Sequence, residues 1–247
     1  MNPIDYLVSK GFRITSDPSK YRSGIWGKRD YTVDGYNHDG YCGGHHRAYD
    51  LSKHHLAPVP SVCDGIVAAG TKAYGNFGGT VVIANEALDI QVIYGHLSRN
   101  LPVRAGQKVK AGQTIGHQSN TNYQGVQMNS HLHIQFQKYG YIKNERDFVC
   151  TGIDPLNIVL SDVWLKEGKF VTDRNINIRT FPNLKAGRSG VLPAGSTAVF
   201  DRYYASGSHW WLRFRHKGAV RFIAAGQRAG GKAFGRTGLW GKLDLSK

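Results

Sequence analysis

"HLHIQFQ", residues 131–137, alternates polar and apolar side chains without a break. A strand points successive side chains to opposite faces, so His131, His133, Gln135 and Gln137 share one face while Leu132, Ile134 and Phe136 share the other. The apolar set anchors a half-buried strand. Both imidazoles then point the same way, one strand repeat apart. By itself an H-x-H pair fits an ordinary polar sheet face, so its reading depends on what the rest of the chain places beside it.

The flanking sequence continues the β pattern. "GIVAAG" (65–70), "GTVVIANE" (79–86) and "DIQVIYGHL" (89–97) are short β-branched runs bounded by glycine and polar turns, the mark of an antiparallel sheet. "VRAGQKVKAGQTIGH" (103–117) holds two V-x-A-G-Q-like units and reads as tight turns between short strands. "NPIDYLVSK" (2–10) starts a short helix with an Asn or Asp cap. Residues 21–45, dense in Tyr, Gly, Arg and Asp, and the polar stretch 118–130 read as loops flanking a cleft. "DPLNIV" (154–159) reads as a last turn and "LSDVWLKEGK" (160–169) as a linker. Beyond it, "NINIRT", "TAVFDRYY", "HWWLRFRH" and "AVRFIAA" are short strands spaced as in a small barrel or sandwich. The expected architecture is mostly β: residues 1–159 form an antiparallel-sheet domain, 160–169 a linker, and 170–247 a small β-barrel.

Charge divides the chain differently. The 247 residues carry a net +15, yet residues 165–247 hold 16 Lys/Arg against 4 Asp/Glu, a net of +12. Histidine runs the other way, with nine of 11 before residue 164. The C-terminal part should be drawn to a polyanion, either nucleic acid or an anionic cell envelope. The first 30 residues contain no long apolar run and no stretch approaches a membrane span, so a monomer made without a leader is expected. Cys42, Cys63 and Cys150 form no zinc-ribbon spacing. A Cys42–Cys150 bridge is open to the chain, with buried thiols the favoured reading.

Two further segments join the opening stretch. "HHRAYDLS" supplies His46 and, four residues on, Asp50; His45 is the rival of His46, spaced five from the aspartate. "VIYGHLSR" places His96 at the end of an apolar strand. Two histidines and one aspartate can close a zinc site that leaves a fourth position for water. Two more histidines remain for proton transfer and for stabilising charge. His38, His45, His54, His55 and His117 read as exposed or groove residues.

"HRAYD", "YGHL" and "HLH", in this order and at these distances, resemble the M23 peptidases, a group that includes lysostaphin-type glycyl-glycine endopeptidases and many phage endolysins. "GNFGGTVVIAN" and "VRAGQKVKAGQTIGHQSNT" fit the same pattern, and the resemblance covers roughly residues 40–158. It implies one zinc ion held by His46, Asp50 and His133, with His96 and His131 as the catalytic pair. His131 is expected to be the base because it shares a strand with His133. Ala48 stands where the family often has glycine.

Residues 170–247, through "IRTFP", "WWLRF" and a final "WG", resemble the bacterial SH3 (SH3b) domains that anchor peptidoglycan hydrolases. The resemblance implies a wall-binding SH3-like barrel, with Asp173, Tyr203, Tyr204 and Trp210 as binding candidates. Alternation in "WWLRFR" puts Trp211, Arg213 and Arg215 on one face and Trp210, Leu212 and Phe214 on the other, so one of the two tryptophans is expected in the core and the other exposed. Phe222 stands where lysostaphin-like domains bring a tyrosine. Together the two resemblances imply a zinc endopeptidase acting on the peptidoglycan of Gram-positive bacteria and attracted by anionic wall polymers. As a phage endolysin it would be made in the host cytoplasm and act on the wall; the alternative is an extracellular enzyme whose leader has been removed. A basic nucleic-acid-binding protein leaves the histidine–aspartate set unexplained. A non-catalytic M23-like regulator would lack some of the five site positions, and a lipoyl-type carrier would need a modified lysine on a hairpin tip.

Overall fold

The computed structural model describes residues 2–15, 24–29, 32–33, 36–37, 39–71, 75–122, 128–140, 150–158, 163–206, 208–228, 234 and 238–245. Of the loops expected beside a cleft, residues 21–23, 30–31, 34–35, 38 and 123–127 lie outside the described residues, His38 among them. The chain divides into two units, 2–156 and 157–247.

The first unit opens with a helix, Pro3–Ser9, started by proline in its first turn and by the Asn2 side chain, which accepts from the Asp5 amide. Its strands are β1 Arg13–Ile14, β2 Gly27–Lys28, β3 Thr32–Val33, β4 Tyr36–Asn37, β5 His45–His46, β6 Ala48–Ser52 and β7 Pro58–Pro60. They continue with β8 Gly65–Thr71, β9 Gly79–Asn85, β10 Ile90–Leu97, β11 Lys108–Val109, β12 Thr114–His117 and β13 Leu132–Lys138. Seven of them form an antiparallel sheet in the order β1-β6-β13-β10-β9-β8-β11. Two smaller pairs matter to the site or its surroundings: β2 with β5, and β7 with β12.

Register assigns the two faces of this sheet. Val92 lies opposite Phe136, Tyr94 opposite Ile134, and Leu132 opposite Leu51, all on one fully buried apolar face. Burying each such side chain contributes about 1.5–3 kcal/mol. The other face carries Asp50 opposite His133, His133 opposite Gly95, and Ala48 opposite Gln135. β13 is therefore more deeply set than a half-buried strand. Gln135 and Gln137 are each only 1 % exposed, because residues after Cys150 cover this face and both amides bond to Thr151. Cys42 and Cys150 form a disulfide across 108 residues, so the buried-thiol reading fails for this pair, whereas Cys63 is a buried free thiol.

The second unit has β14 Val163–Thr172, β15 Ile176–Arg179, β16 Arg188–Leu192, β17 Thr197–Ser206, β18 His209–His216, β19 Ala219–Gln227 and β20 Gly241–Leu245. They form one antiparallel sheet, β16-β15-β19-β18-β17-β14-β20. Both units are thus mostly β and antiparallel. Residues 163–169, expected within a linker, are instead the start of β14, paired with β17 and, from Gly168, with β20. Charged residues in "VWLKEGK" hide that strand from a composition-based reading.

Both tryptophans of "HWWLRFRH" are buried. Trp210 joins Leu212, Phe214, Phe200 and Ile223 in the core. Trp211, on the opposite face and 1 % exposed, lies across from Tyr204, and its indole N–H donates to the Ser206 carbonyl. Tyr204 meets Phe222 edge-on beside it. The sheet is covered on both sides here, so alternation could not select one core tryptophan.

Candidate metal centre

The trio His46, Asp50 and His133 comes from two neighbouring strands of the large sheet and from β5 of the small β2–β5 pair. β6 carries Asp50 and β13 carries His133 directly across from it. β5 turns His46 inward and His45 the other way, toward the carbonyl of Gly43. His46, not His45, is therefore the histidine at the site: it is buried, and its Nε2 lies 3.3 Å from Asp50 Oδ2. His133 Nδ1 lies 3.0 Å from Asp50 Oδ1. Among the described residues, these three bring one ligand atom each within 4.8 Å of one another.

Ring tautomers follow from what each other nitrogen touches. A carbonyl only accepts, so His46 Nδ1 donates to Ile25 O at 3.0 Å and its Nε2 keeps the lone pair. That Nε2 is buried without a hydrogen-bond partner. On His133 the arrangement is reversed. Gln135 donates its amide N–H to Thr151 O at 2.7 Å, which leaves Oε1 facing His133 Nε2 at 3.4 Å. His133 Nε2 is thereby the donor, and Nδ1 is left for Asp50 and the site. An orphaned buried imidazole nitrogen, a second imidazole nitrogen and a carboxylate fit zinc, whose tetrahedral ligand atoms stand about 3.4 Å apart.

His96 reaches the same place by a backbone irregularity. The pairing of β10 with β9 slips between Tyr94 and Leu97, and His96 adopts a left-handed φ of 57°. Bulges and left-handed non-glycine residues re-aim side chains and concentrate at functional sites. Gly95 leaves room for this turn, since a Cβ there would sit 3.1 Å from Phe77 Cδ1 and 3.5 Å from His133 Cβ. His96 Nδ1 donates to Thr121 O at 2.8 Å. Thr121 is itself packed so close to Gly78 that a Cβ there would lie 2.4 Å from its carbonyl.

His131 precedes β13 and is held by an isolated bridge to Ser119. Its Nδ1 donates to Asn129 O at 2.8 Å and its Nε2 lies 3.8 Å from Asp50 Oδ1. The His96 and His131 rings are 4.6 Å apart, and Phe77 covers His133 at 4.7 Å. All five residues singled out in the sequence thus converge.

Electrostatics separate their states. Burial opposes ionisation of Asp50, but the imidazoles of His46, His133 and His131 around it hold its carboxyl well below the usual range. Burial pushes the His133 imidazole down, against the pull of Asp50. Burial, reinforced by His131 and His133, lowers His96 to about 3, so His96 is neutral at ordinary pH.

Several residues here escaped the sequence reading. Gln135 had a signal, since it is the next member of the polar face of "HLHIQFQ". Arg29, whose Nη1 lies 3.4 Å from Asp50 Oδ2 and whose guanidinium is paired with Asp39, had none. Nor had Gln118, whose buried amide bonds Lys53 and Ser130 just ahead of His131.

The wall-binding candidates of the second unit fare unevenly. Tyr204 and Trp210 are buried in packed cores, 0 % and 5 % exposed, and present almost no surface to a ligand. Tyr203 is partly buried, stacked on Phe234 at 4.2 Å. Asp173 is exposed and paired with Arg174 at 2.6 Å. Phe222 is buried against Tyr204 and Phe181.

Comparison with known proteins adds the following. Peptidase family M23 matches residues 44–145. Endolysin 2638A of Staphylococcus phage 2638A is 42% identical over 156 residues, 62% of this chain and 32% of that protein. Glycyl-glycine endopeptidase ALE-1 of Staphylococcus capitis is 27% identical over 230 residues, 83% of this chain and 60% of that protein. The chain therefore spans between about a third and three-fifths of these relatives' length. The solved catalytic domain of lysostaphin from Staphylococcus simulans is 23% identical with a TM-score of 0.42, covering 53% of this chain and 86% of that one. The matched segment contains His46, Asp50, His96, His131 and His133. The similarity to peptidase family M23 thus extends over residues 44–145, the segment that carries all five residues of the site.

Proposed function

We propose that this protein is a zinc-dependent endopeptidase that cleaves a peptide bond in the cross-bridge or stem peptide of Gram-positive peptidoglycan. The observation that carries the reading is the convergence of the unpartnered His46 Nε2, the Asp50 carboxylate and His133 Nδ1, with His96 and His131 beside them. His46, Asp50 and His133 would hold one zinc ion. When bound, zinc supplies a Lewis acid that polarises a carbonyl and acidifies water.

The chain's own residues divide the remaining work. His131 Nδ1 donates to Asn129 O, so its Nε2 carries the lone pair, 3.8 Å from Asp50 Oδ1 and on the side of the ligand trio. His131 is thus the proton carrier: it accepts the proton of the attacking water and returns it to the leaving amine. His96 has committed its only N–H to Thr121. It offers a lone pair rather than a donor, so its role is to accept from the attacking water and orient it, not to donate to an oxyanion. Phe77 and the packed β10–β13 face limit water at the site.

The second unit would act as a wall-binding, SH3-like module, its net +12 attracting anionic wall polymers. The names of the relatives, an endolysin and a glycyl-glycine endopeptidase, support this substrate class and a phage-type enzyme made in the host cytoplasm. In the test, purified protein is assayed for zinc content and for clearing of Gram-positive walls, and mass spectrometry identifies the released peptides. One zinc per chain and loss of clearing in His133→Ala are expected. Clearing at full rate by His133→Ala, or no stoichiometric zinc, refutes the mechanism. A DNA gel shift without wall binding would favour the nucleic-acid reading.

A further inference from the structure

Two contacts brace the ligand trio from outside, and both lead to the same covalent bond. On one side, Gln135 Oε1 faces His133 Nε2 while its N–H donates to Thr151 O, and Thr151 follows Cys150 directly. On the other, Arg29 Nη1 donates to Asp50 Oδ2 while Nε and Nη2 donate to Asp39. Asp39 precedes the 3-10 turn Gly40–Cys42, and its carbonyl accepts from the Cys42 and Gly44 amides, each at 2.9 Å. Cys42 and Cys150 are joined, with their Cα atoms 5.0 Å apart.

We propose that the Cys42–Cys150 disulfide is a redox-sensitive staple for the metal centre. Oxidised, it holds the Arg29–Asp39 brace on Asp50 and the Gln135–Thr151 brace on His133, and it slows metal release. Reduced, the two braces lose the covalent tie that joins them, and the metal is released faster. This rests on the reading that His46, Asp50 and His133 hold zinc.

The physical basis is that outer partners orient metal ligands and select their tautomers, and losing one costs about 10–100-fold in metal affinity. Gln135 can select the His133 tautomer only while Thr151 fixes which end of its amide faces the ring. Asp39 can hold Arg29 only while its turn stays in place. A disulfide caps the separation of the two segments, whereas two thiols impose no limit. Reduction by a phosphine is balanced. The phosphine gives two electrons to the S–S bond, water supplies the oxygen of the phosphine oxide, and its two protons complete the two thiols. The same pair would therefore grip metal weakly where thiols are kept reduced and tightly in an oxidising compartment.

The experiment measures zinc release from the full chain to excess 4-(2-pyridylazo)resorcinol under native conditions. Oxidised wild type is compared with Cys42→Ser/Cys150→Ser, with Gln135→Leu, and with all three changes combined. Wild type should carry one zinc, and both the cysteine variant and Gln135→Leu should release it about 10–100-fold faster. In the cysteine variant, Gln135→Leu should add little, because its anchor is already loosened. Equal release from oxidised wild type and the cysteine variant overturns the staple and leaves the zinc site standing. Fully multiplicative effects also overturn it, since the disulfide would then act on overall stability and not through Gln135. Absence of zinc from oxidised wild type overturns the reading of the site itself. If the serine variant does not fold, phosphine-reduced wild type replaces it with the same expected and refuting rates.

Discussion

Acidifying the metal-free protein is expected to cost stability through His96. Burial and the neighbouring imidazoles hold its pKa at about 3, whereas the unfolded chain titrates near the ordinary 6.5. Between those values the unfolded chain binds the extra proton, so stability rises with pH there. The contribution is complete above pH 6.5 and drains away as pH falls toward 3. Linkage puts the loss from this one group at about 2 kcal/mol between pH 6.5 and 4.5, with a ceiling of about 4–5 kcal/mol at lower pH. His96→Asn is the matched comparison. Asparagine tolerates the left-handed φ of 57°, its amide can donate to Thr121 as the imidazole does, and it does not titrate. Urea midpoints of the chelator-treated proteins, followed through β10 and β13 amide signals, give the two stabilities at half-unit pH steps. Subtracting one from the other cancels Asp50 and every group the proteins share. The variant should gain about 2 kcal/mol on wild type as pH drops from 6.5 to 4.5. A difference that stays flat, or an NMR titration of His96 with a midpoint near 6.5, refutes the assignment of a buried neutral imidazole.

Other perturbations address the site's framework. Gly95→Val adds methyls beyond a Cβ already 3.1 Å from Phe77, and should cost about 1–3 kcal/mol in urea midpoint while weakening zinc binding. Gln118→Leu strands the Lys53 amide that now donates to its Oε1 at 2.7 Å. It should cost about 1–3 kcal/mol and lower the turnover of wall clearing with zinc content unchanged, because Ser130 loses its anchor next to His131. Arg213→Ala removes a pair with the partly exposed Asp201 and should change stability by less than about 1 kcal/mol. Raising salt from 50 to 300 mM should weaken wall association several-fold in a binding assay if the basic second unit is steered by charge.

Local pattern carried the sequence reading where local chemistry decides structure. The β-branched runs became β8, β9 and β10 within a residue or two, because glycine turns bound them and alternation marks their faces. The three candidate metal ligands and their two neighbouring histidines were legible because strand period two aims His131 and His133 together, while H-x-x-x-D marks His46 and Asp50 as a pair. Reading failed where both faces of a strand are covered. Alternation predicted exposed Gln135 and Gln137 and one exposed tryptophan, but chain from distant positions packs over each. The charged stretch 163–169 hid a strand whose partners lie 30 to 80 residues away.

By itself, then, the sequence determined which residue types could bind a metal, the strands that present them, and the unequal charge of the two halves. Only tertiary structure decided that His46 and not His45 faces Asp50, that His96 turns inward at a bulge, and that Tyr204 and Trp210 are core. It alone placed Arg29, Gln118 and the Cys42–Cys150 bond around the ligands. The reason is range. A strand's faces follow from neighbours two residues apart, whereas a hydrogen bond to Thr151 or a disulfide across 108 residues depends on where the folded chain returns.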